Sequence, residues 1–153
     1  MKLRKIFLHA KKTCGGFTLI EILITLSIIV VLAGLGLFLG FDVYRGYAFR
    51  YERNVAVSIL QKARSEAMNN INQLPHGVRI EDSSYIVFQG STFDSTTSTN
   101  IRIPISKSVA VGGTNEIIFD ELSGDVTTPG TITLTNGVRT TNITINNVGR
   151  IDW

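Results

Sequence analysis

The sequence predicts an α+β chain: a long N-terminal helix, transmembrane in its first half and amphipathic in its second, packed on a C-terminal antiparallel β-sheet domain. Three observations carry this. From Ile22 to Phe41 the chain runs twenty residues without a charge. Ala56, Leu60, Ala63, Ala67 and Ile71 then recur at spacings of 4, 3, 4 and 4, one apolar stripe on a helix. From His76 onward, short segments rich in Ile, Val, Thr and Phe alternate with turn residues.

The chain begins with an excess of charge of one sign. Met1 to Gly16 holds Lys2, Arg4, Lys5, Lys11 and Lys12 and no acid, a net of +5, which leaves ten basic and twelve acidic residues from Phe17 onward, a net of −2. The overall +3 is therefore a basic leader on a mildly acidic body, and a nucleic-acid binder with a basic surface throughout is not expected. At helical rise the uncharged block spans roughly 30 Å, the thickness of a hydrocarbon core. A helix apolar on all sides is buried in protein or sits in lipid, and a chain of 153 residues can hardly wrap it. The run exceeds the apolar region of a secretory signal, and Cys14 precedes it, where a lipoprotein signal would place its cysteine after. With the basic leader on one side and Asp42 on the other, the N-terminus is expected in the cytoplasm and the C-terminal part outside.

Glu21 does not belong in such a segment. A carboxylate near lipid costs several kcal/mol on most scales, so it needs a partner, a role, or a route to the interface. Cleavage after Gly16 would give Phe17 a free ammonium four residues from Glu21. Two helices offset along their axes then pair the Glu21 carboxylate of one with the Phe17 amine of the next, which rewards assembly.

Past the block, helical patterning continues, so that Phe17 to about Leu74 reads as one helix, with Asn69, Asn70, Asn72, Pro75 and Gly77 supplying the stop. Gly34, Gly36, Gly40 and Gly46 are places where it can bend or pack closely. Arg53, Lys62, Arg64 and Glu66 fall off the apolar stripe. Strands are expected at Gly77–Ile80, Ser84–Gln89, Ile101–Ile105, Glu116–Phe119, Thr131–Thr135 and Asn142–Asn146. The last two alternate strictly and are separated by Asn136-Gly137, a hairpin signal, with the returning strand starting as early as Val138. Gly90 to Asn100 is Ser/Thr-rich and expected as an exposed loop, as is His76 between Pro75 and Gly77. The expected divisions are a leader at 1–16, a transmembrane half-helix at 17–41, an amphipathic half-helix at 42–75 and a β-rich domain at 76–153.

Lys11-Lys12-Thr13-Cys14-Gly15-Gly16-Phe17-Thr18-Leu19-Ile20-Glu21 ahead of a long apolar helix resembles the class III leader of type IV pilins and type II secretion pseudopilins. The resemblance implies a pilin-like fold, cutting by a membrane prepilin peptidase between Gly16 and Phe17, N-methylation of Phe17 and an assembly role for Glu21. Ile59 to Ala67, with Ala63-Arg64-Ser65-Glu66-Ala67 at its end, resembles a helix segment of the GspH/FimT group of minor pseudopilins. Ile143 to Ile151, with Gly149-Arg150, resembles that group's closing strand and turn. The implied partners are other pilin or pseudopilin subunits, the prepilin peptidase and an inner-membrane assembly platform. The implied location is the cytoplasmic membrane, single-pass, followed by incorporation into a filament.

Catalysis finds little to use, and no enzyme is expected. Without the leader the chain keeps one histidine, His76, and no cysteine, so a Cys/His zinc set and a Cys nucleophile are excluded. Asp120, Glu121 and Asp125 around Ser123-Gly124 match no EF-hand spacing and read as a solvated turn. Gly112-Gly113 lacks the lysine of a phosphate loop, and Asn142-Ile143-Thr144, a glycosylation pattern, lies in an expected strand. No cofactor and no metal is expected. The alternatives are a major type IV pilin and a DNA-binding minor pilin for DNA uptake. The second would use Arg139 and Arg150, against eleven acids and ten bases from Asp42 onward and with Asp152 close to Arg150.

Overall fold

The computed structural model describes residues 16–153; the leader before Gly16, with Cys14, lies outside the described residues. One helix, α1, runs Leu19–Met68. The chain divides into two compact units, Met1–Phe41 and Asp42–Trp153.

In the first unit the described helix is long and apolar enough to cross a membrane over Leu19–Leu37, and none of that stretch is buried in protein. Its two hydroxyls are satisfied within the helix. The Thr25 hydroxyl donates to the Ile22 carbonyl at 2.9 Å and the Ser27 hydroxyl to the Leu23 carbonyl at 2.8 Å. That removes much of the cost of placing hydroxyls in hydrocarbon.

In the second unit α1 supplies the stripe that the spacing predicts: Ala56, Leu60, Ala63 and Ala67 are buried. The stripe starts earlier, at Phe49 and Glu52, and stops before Ile71, which is exposed. It stops because α1 ends at Met68, short of the expected Leu74. Asn70 takes the left-handed conformation, a single turn follows at Ile71–Gln73, and the Ala67 carbonyl accepts from the Leu122 and Asn70 amides.

Eight antiparallel strands follow: β1 His76–Glu81, β2 Ser84–Gln89, β3 Ile101–Pro104, β4 Ala110–Gly113, β5 Glu116–Phe119, β6 Gly130–Thr135, β7 Thr140–Ile145 and β8 Ile151–Asp152. They form two four-stranded sheets rather than one, ordered β3-β2-β1-β5 and β4-β6-β7-β8. The α+β class and antiparallel pairing are those read from the sequence; the split into two sheets is not, and neither are β4 and β8.

Both sheets contribute to one core against α1. Val78, Tyr85, Val87, Ile117 and Phe119 come from the first sheet, and Ile132, Leu134, Ile143 and Ile145 from the second. In the second sheet the alternation places Ile132 opposite Ile143 and turns Thr131, Thr133 and Thr135 the other way. Ala56, Ala63 and Ala67 belong to this core from the helix side.

His76 is not a loop residue. It opens β1, opposite Gln89 and Phe119, and is fully buried with neither ring nitrogen hydrogen-bonded. The 90–100 loop is also more than a solvated excursion. Ile86 and Phe88 are buried outside the main core, and Phe93 lies edge-on to Phe88 with ring centroids 5.4 Å apart. The Arg79 guanidinium lies 4.9 Å from the Phe93 ring centre and bonds Glu116 at 2.9 Å. Asp94 folds the loop by accepting from the Thr96 amide at 2.8 Å, which lowers its pKa from the ordinary carboxylate value.

Candidate functional site

The segment in which the sequence places a processing site lies at the start of the described chain. Gly16, Phe17 and Thr18 are exposed and outside any helix, with Phe17 79% accessible. Thr18 caps α1: its hydroxyl oxygen accepts from the Glu21 amide at 3.3 Å, and its carbonyl from the Ile22 amide at 3.2 Å. Thr18 and Glu21 thus stand at the spacing of a capping box, with the acid in the positive first turn of the helix. Local helix chemistry gives Glu21 a favourable position without neutralising it, because its carboxylate makes no ion pair among the described residues. Phe17 sits immediately before the cap, so an amine created there would share the helix terminus with Glu21.

Arg139 and Arg150 are not brought together. Arg139 leaves the β6–β7 hairpin, whose turn spans Asn136 to Arg139. Asn136 holds that turn by accepting from the Val138 amide at 3.1 Å and the Arg139 amide at 2.8 Å. The returning strand therefore starts at Thr140, two residues later than its earliest expected start. Arg139 faces a hollow of about 200 Å³ lined with Val43, Gly46, Tyr47 and Arg50. Arg150 faces a different hollow, beside Gln61, Met68 and Trp153, and is paired with Asp152 at 2.8 Å. The nearby Asp152 takes up the charge that a phosphate would need.

Arg64, off the apolar stripe as its spacing predicts, is half-buried. Its Nη2 donates to the Val148 carbonyl at 3.1 Å, and its Nε is buried. Gly149 follows with φ of +69°, and a β-carbon there would collide with the Gly124 carbonyl oxygen and come within 2.9 Å of Arg64 Nε. The two segments singled out from the sequence, Ala63 to Ala67 and Gly149-Arg150, are thus one packed junction.

Glu52 is the residue that sequence reasoning missed. It is 2% exposed, and its Oε2 accepts from the Ser106 amide at 3.1 Å. Burial, with the Glu52 charge beside it, pushes the Tyr85 hydroxyl well above the ordinary tyrosine value. Neither the Tyr85 hydroxyl nor Glu52 Oε1 has a well-formed hydrogen bond. The signal was its spacing: Phe49 and Glu52 extend the Ala56, Leu60, Ala63 stripe backward by helical steps.

Among the described residues no three His, Cys, Asp or Glu side chains converge as a metal would require. Asp120, Glu121 and Asp125 lie in a turn closed by backbone bonds from Gly124 to Asp120 and from Asp120 to Asp125.

Comparison with known proteins adds two matches. The family of the prokaryotic N-terminal methylation motif matches residues 11–37, which contain Gly16, Phe17, Glu21 and the apolar helix. The family of the type II transport protein GspH matches residues 52–149, from the buried Glu52 to the junction glycine. No curated protein and no solved structure matches the chain. The second match covers well over half of the chain, so the protein belongs to the GspH family of pilin-like pseudopilins and carries a prepilin-type leader.

Proposed function

We propose that this chain is a minor pseudopilin of a type II secretion system. It is made as a precursor in the cytoplasmic membrane, with its leader in the cytoplasm and residues 42–153 on the other side. Cutting between Gly16 and Phe17 removes the +5 leader, and methylation of the Phe17 amine leaves that nitrogen charged. The observation that carries the reading is the joint match, within one chain, of the methylation motif and the GspH family. The family is a structural one, and no catalytic role is assigned to any residue.

Assembly follows from the charge on Glu21. In a lone subunit the carboxylate lies beside an apolar span and, among the described residues, makes no ion pair, at a cost of several kcal/mol. A neighbour shifted along the helix axis offers its Phe17 ammonium, and the pair neutralises both groups. The gain falls away when the shift is wrong, so one ion pair sets the register of each incoming subunit.

Glu21→Ala tests this. The variant is expected to be processed normally, as read from the mass of the membrane-bound chain, and to fall out of purified filaments. Incorporation at the level of the parent protein would refute the role. A DNA-uptake function receives no support from the separation of Arg139 and Arg150 or from the pairing of Arg150 with Asp152.

A further inference from the structure

One cluster of charge remains unused by this account. Arg45 and Arg50 on α1 and Arg139 on the β6–β7 hairpin are exposed, and among the described residues none forms an ion pair. They share adjoining hollows: Arg139 with Tyr47 and Arg50, and Arg139 with Arg45 and Val138. The Arg139 guanidinium lies over Gly46, its Nη1 3.1 Å from where a β-carbon would stand. Beside the arginines are side chains that water does not favour. Tyr44 and Tyr47 are 73% and 66% exposed, and Val138 at the hairpin tip is 79% exposed. Between Val43 and Tyr51 there is no acidic residue.

Covalent connection limits how far this patch can lie from the apolar span. The apolar span ends at Leu37, and Tyr44 follows seven residues later. However they are arranged, seven residues reach no farther than about 25 Å. Tyrosine bodies with polar tips, arginines and exposed aliphatic side chains are the composition of a membrane–water interface.

We propose that Tyr44, Arg45, Tyr47, Arg50, Val138 and Arg139 form a docking surface for the anionic phospholipid headgroups of the leaflet from which the helix emerges. The arginines take the phosphates, and the tyrosines and Val138 enter the headgroup layer. The hairpin, fixed to the helix through Arg139 and Gly46, carries the β-domain with it. An arginine near a charged membrane surface is worth roughly a fivefold gain in residence there. The inference rests on the membrane-inserted reading of residues 19–37, and its test separates failed insertion from failed docking.

The test uses the full chain with Cys14→Ser, the only native cysteine, and Val138→Cys bearing a fluorophore, reconstituted in nanodiscs with headgroup-quencher lipid. Co-elution with the disc reports insertion. Quenching is expected to be severalfold stronger in phosphatidylcholine discs containing phosphatidylglycerol than in phosphatidylcholine alone, and to weaken with added salt. In the Arg45→Gln/Arg50→Gln/Arg139→Gln variant it should fall to the phosphatidylcholine level, while a label at Ser98→Cys shows no lipid dependence. Unchanged Trp153 emission confirms that the variant is folded. Equal quenching in the two lipids, or no loss in the triple variant, overturns the proposal. So does binding of a DNA duplex that the triple variant abolishes, without any response to phosphatidylglycerol, which would make the patch a nucleic-acid surface.

Discussion

Replacing Gly149 with alanine tests whether the two family-like segments form one energetic unit. Two costs arise. With φ of +69° a β-carbon is disfavoured by about 1–2 kcal/mol. It would also press on the Gly124 carbonyl and on Arg64 Nε, at 2.9 Å from the latter. Relief requires the Gly124 backbone to shift and Arg64 to withdraw, which breaks the 3.1 Å bond of Arg64 to the Val148 carbonyl. A hydrogen bond from a charged donor contributes about 1.5–3 kcal/mol, so the expected total is about 2.5–5 kcal/mol. Gly137 is the control: its φ is +82°, and nothing lies within 4 Å of an added β-carbon. Gly137→Ala should cost about 1 kcal/mol, since the backbone strain is partly offset by a stiffer unfolded chain. Urea unfolding of both variants can be followed by the emission of Trp153, the single tryptophan, which lines the same hollow as Arg64. Equal losses at the two positions would refute the claim that Arg64, Gly124 and Gly149 act together.

Other outcomes follow from groups the fold buries or stacks. The Tyr85 hydroxyl stays protonated in the folded chain at pH values where an unfolded tyrosine, near pH 10, has lost its proton. Stability should be full below pH 10 and fall above it, with Tyr85 contributing up to about 1.4 kcal/mol per pH unit. Tyr85→Phe should remove that part of the slope at little cost at neutral pH, and superimposable pH profiles would contradict it. Phe93→Ala should cost about 1–3 kcal/mol through loss of the Phe88 edge contact and the Arg79 stacking. It should also speed proteolysis between residues 90 and 100; an unchanged cleavage rate would mean the loop is held by Asp94 alone. His76→Leu should be close to neutral or stabilising in thermal unfolding, because both ring nitrogens are buried without partners. A loss above about 2 kcal/mol would show that the imidazole is satisfied in solution.

Much of the fold was legible because its strongest elements obey one period each. Thr131 to Thr135 and Asn142 to Ile145 alternate, and one residue type per face is all that a sheet with a single wet side requires. The alanine stripe on α1 was legible for the same reason. What escaped did so where the local signal and the tertiary outcome conflict. Glu52 has the spacing of a core residue and the charge of a surface one, and the stripe read from the apolar residues alone begins after it, at Ala56. His76, between proline and glycine, looked like punctuation, yet pairing with β2 and β5 makes it strand. Gly112-Gly113 has poor strand propensity, and β4 exists through its ladder with β6. Strand β8 is two residues long, too short for any period to appear.

The candidate site divides in the same way. Gly16, Phe17, Thr18 and Glu21 lie within one short segment, where Thr18 caps the helix through the Glu21 amide, so their spacing is readable directly. The Arg64–Gly149 junction joins residues far apart in sequence, and so does the seat of Arg139 on Gly46. Sequence marks such residues one by one and leaves their partners to the fold.

The central claim is that this chain is a precursor whose working form begins at Phe17, with Glu21 four residues inside. Intact mass and N-terminal sequencing of the protein isolated from membranes that contain its prepilin peptidase test it most directly. The account predicts a chain starting at N-methylated Phe17, lacking Met1 to Gly16. A full-length chain, or one starting at any other residue, would contradict it.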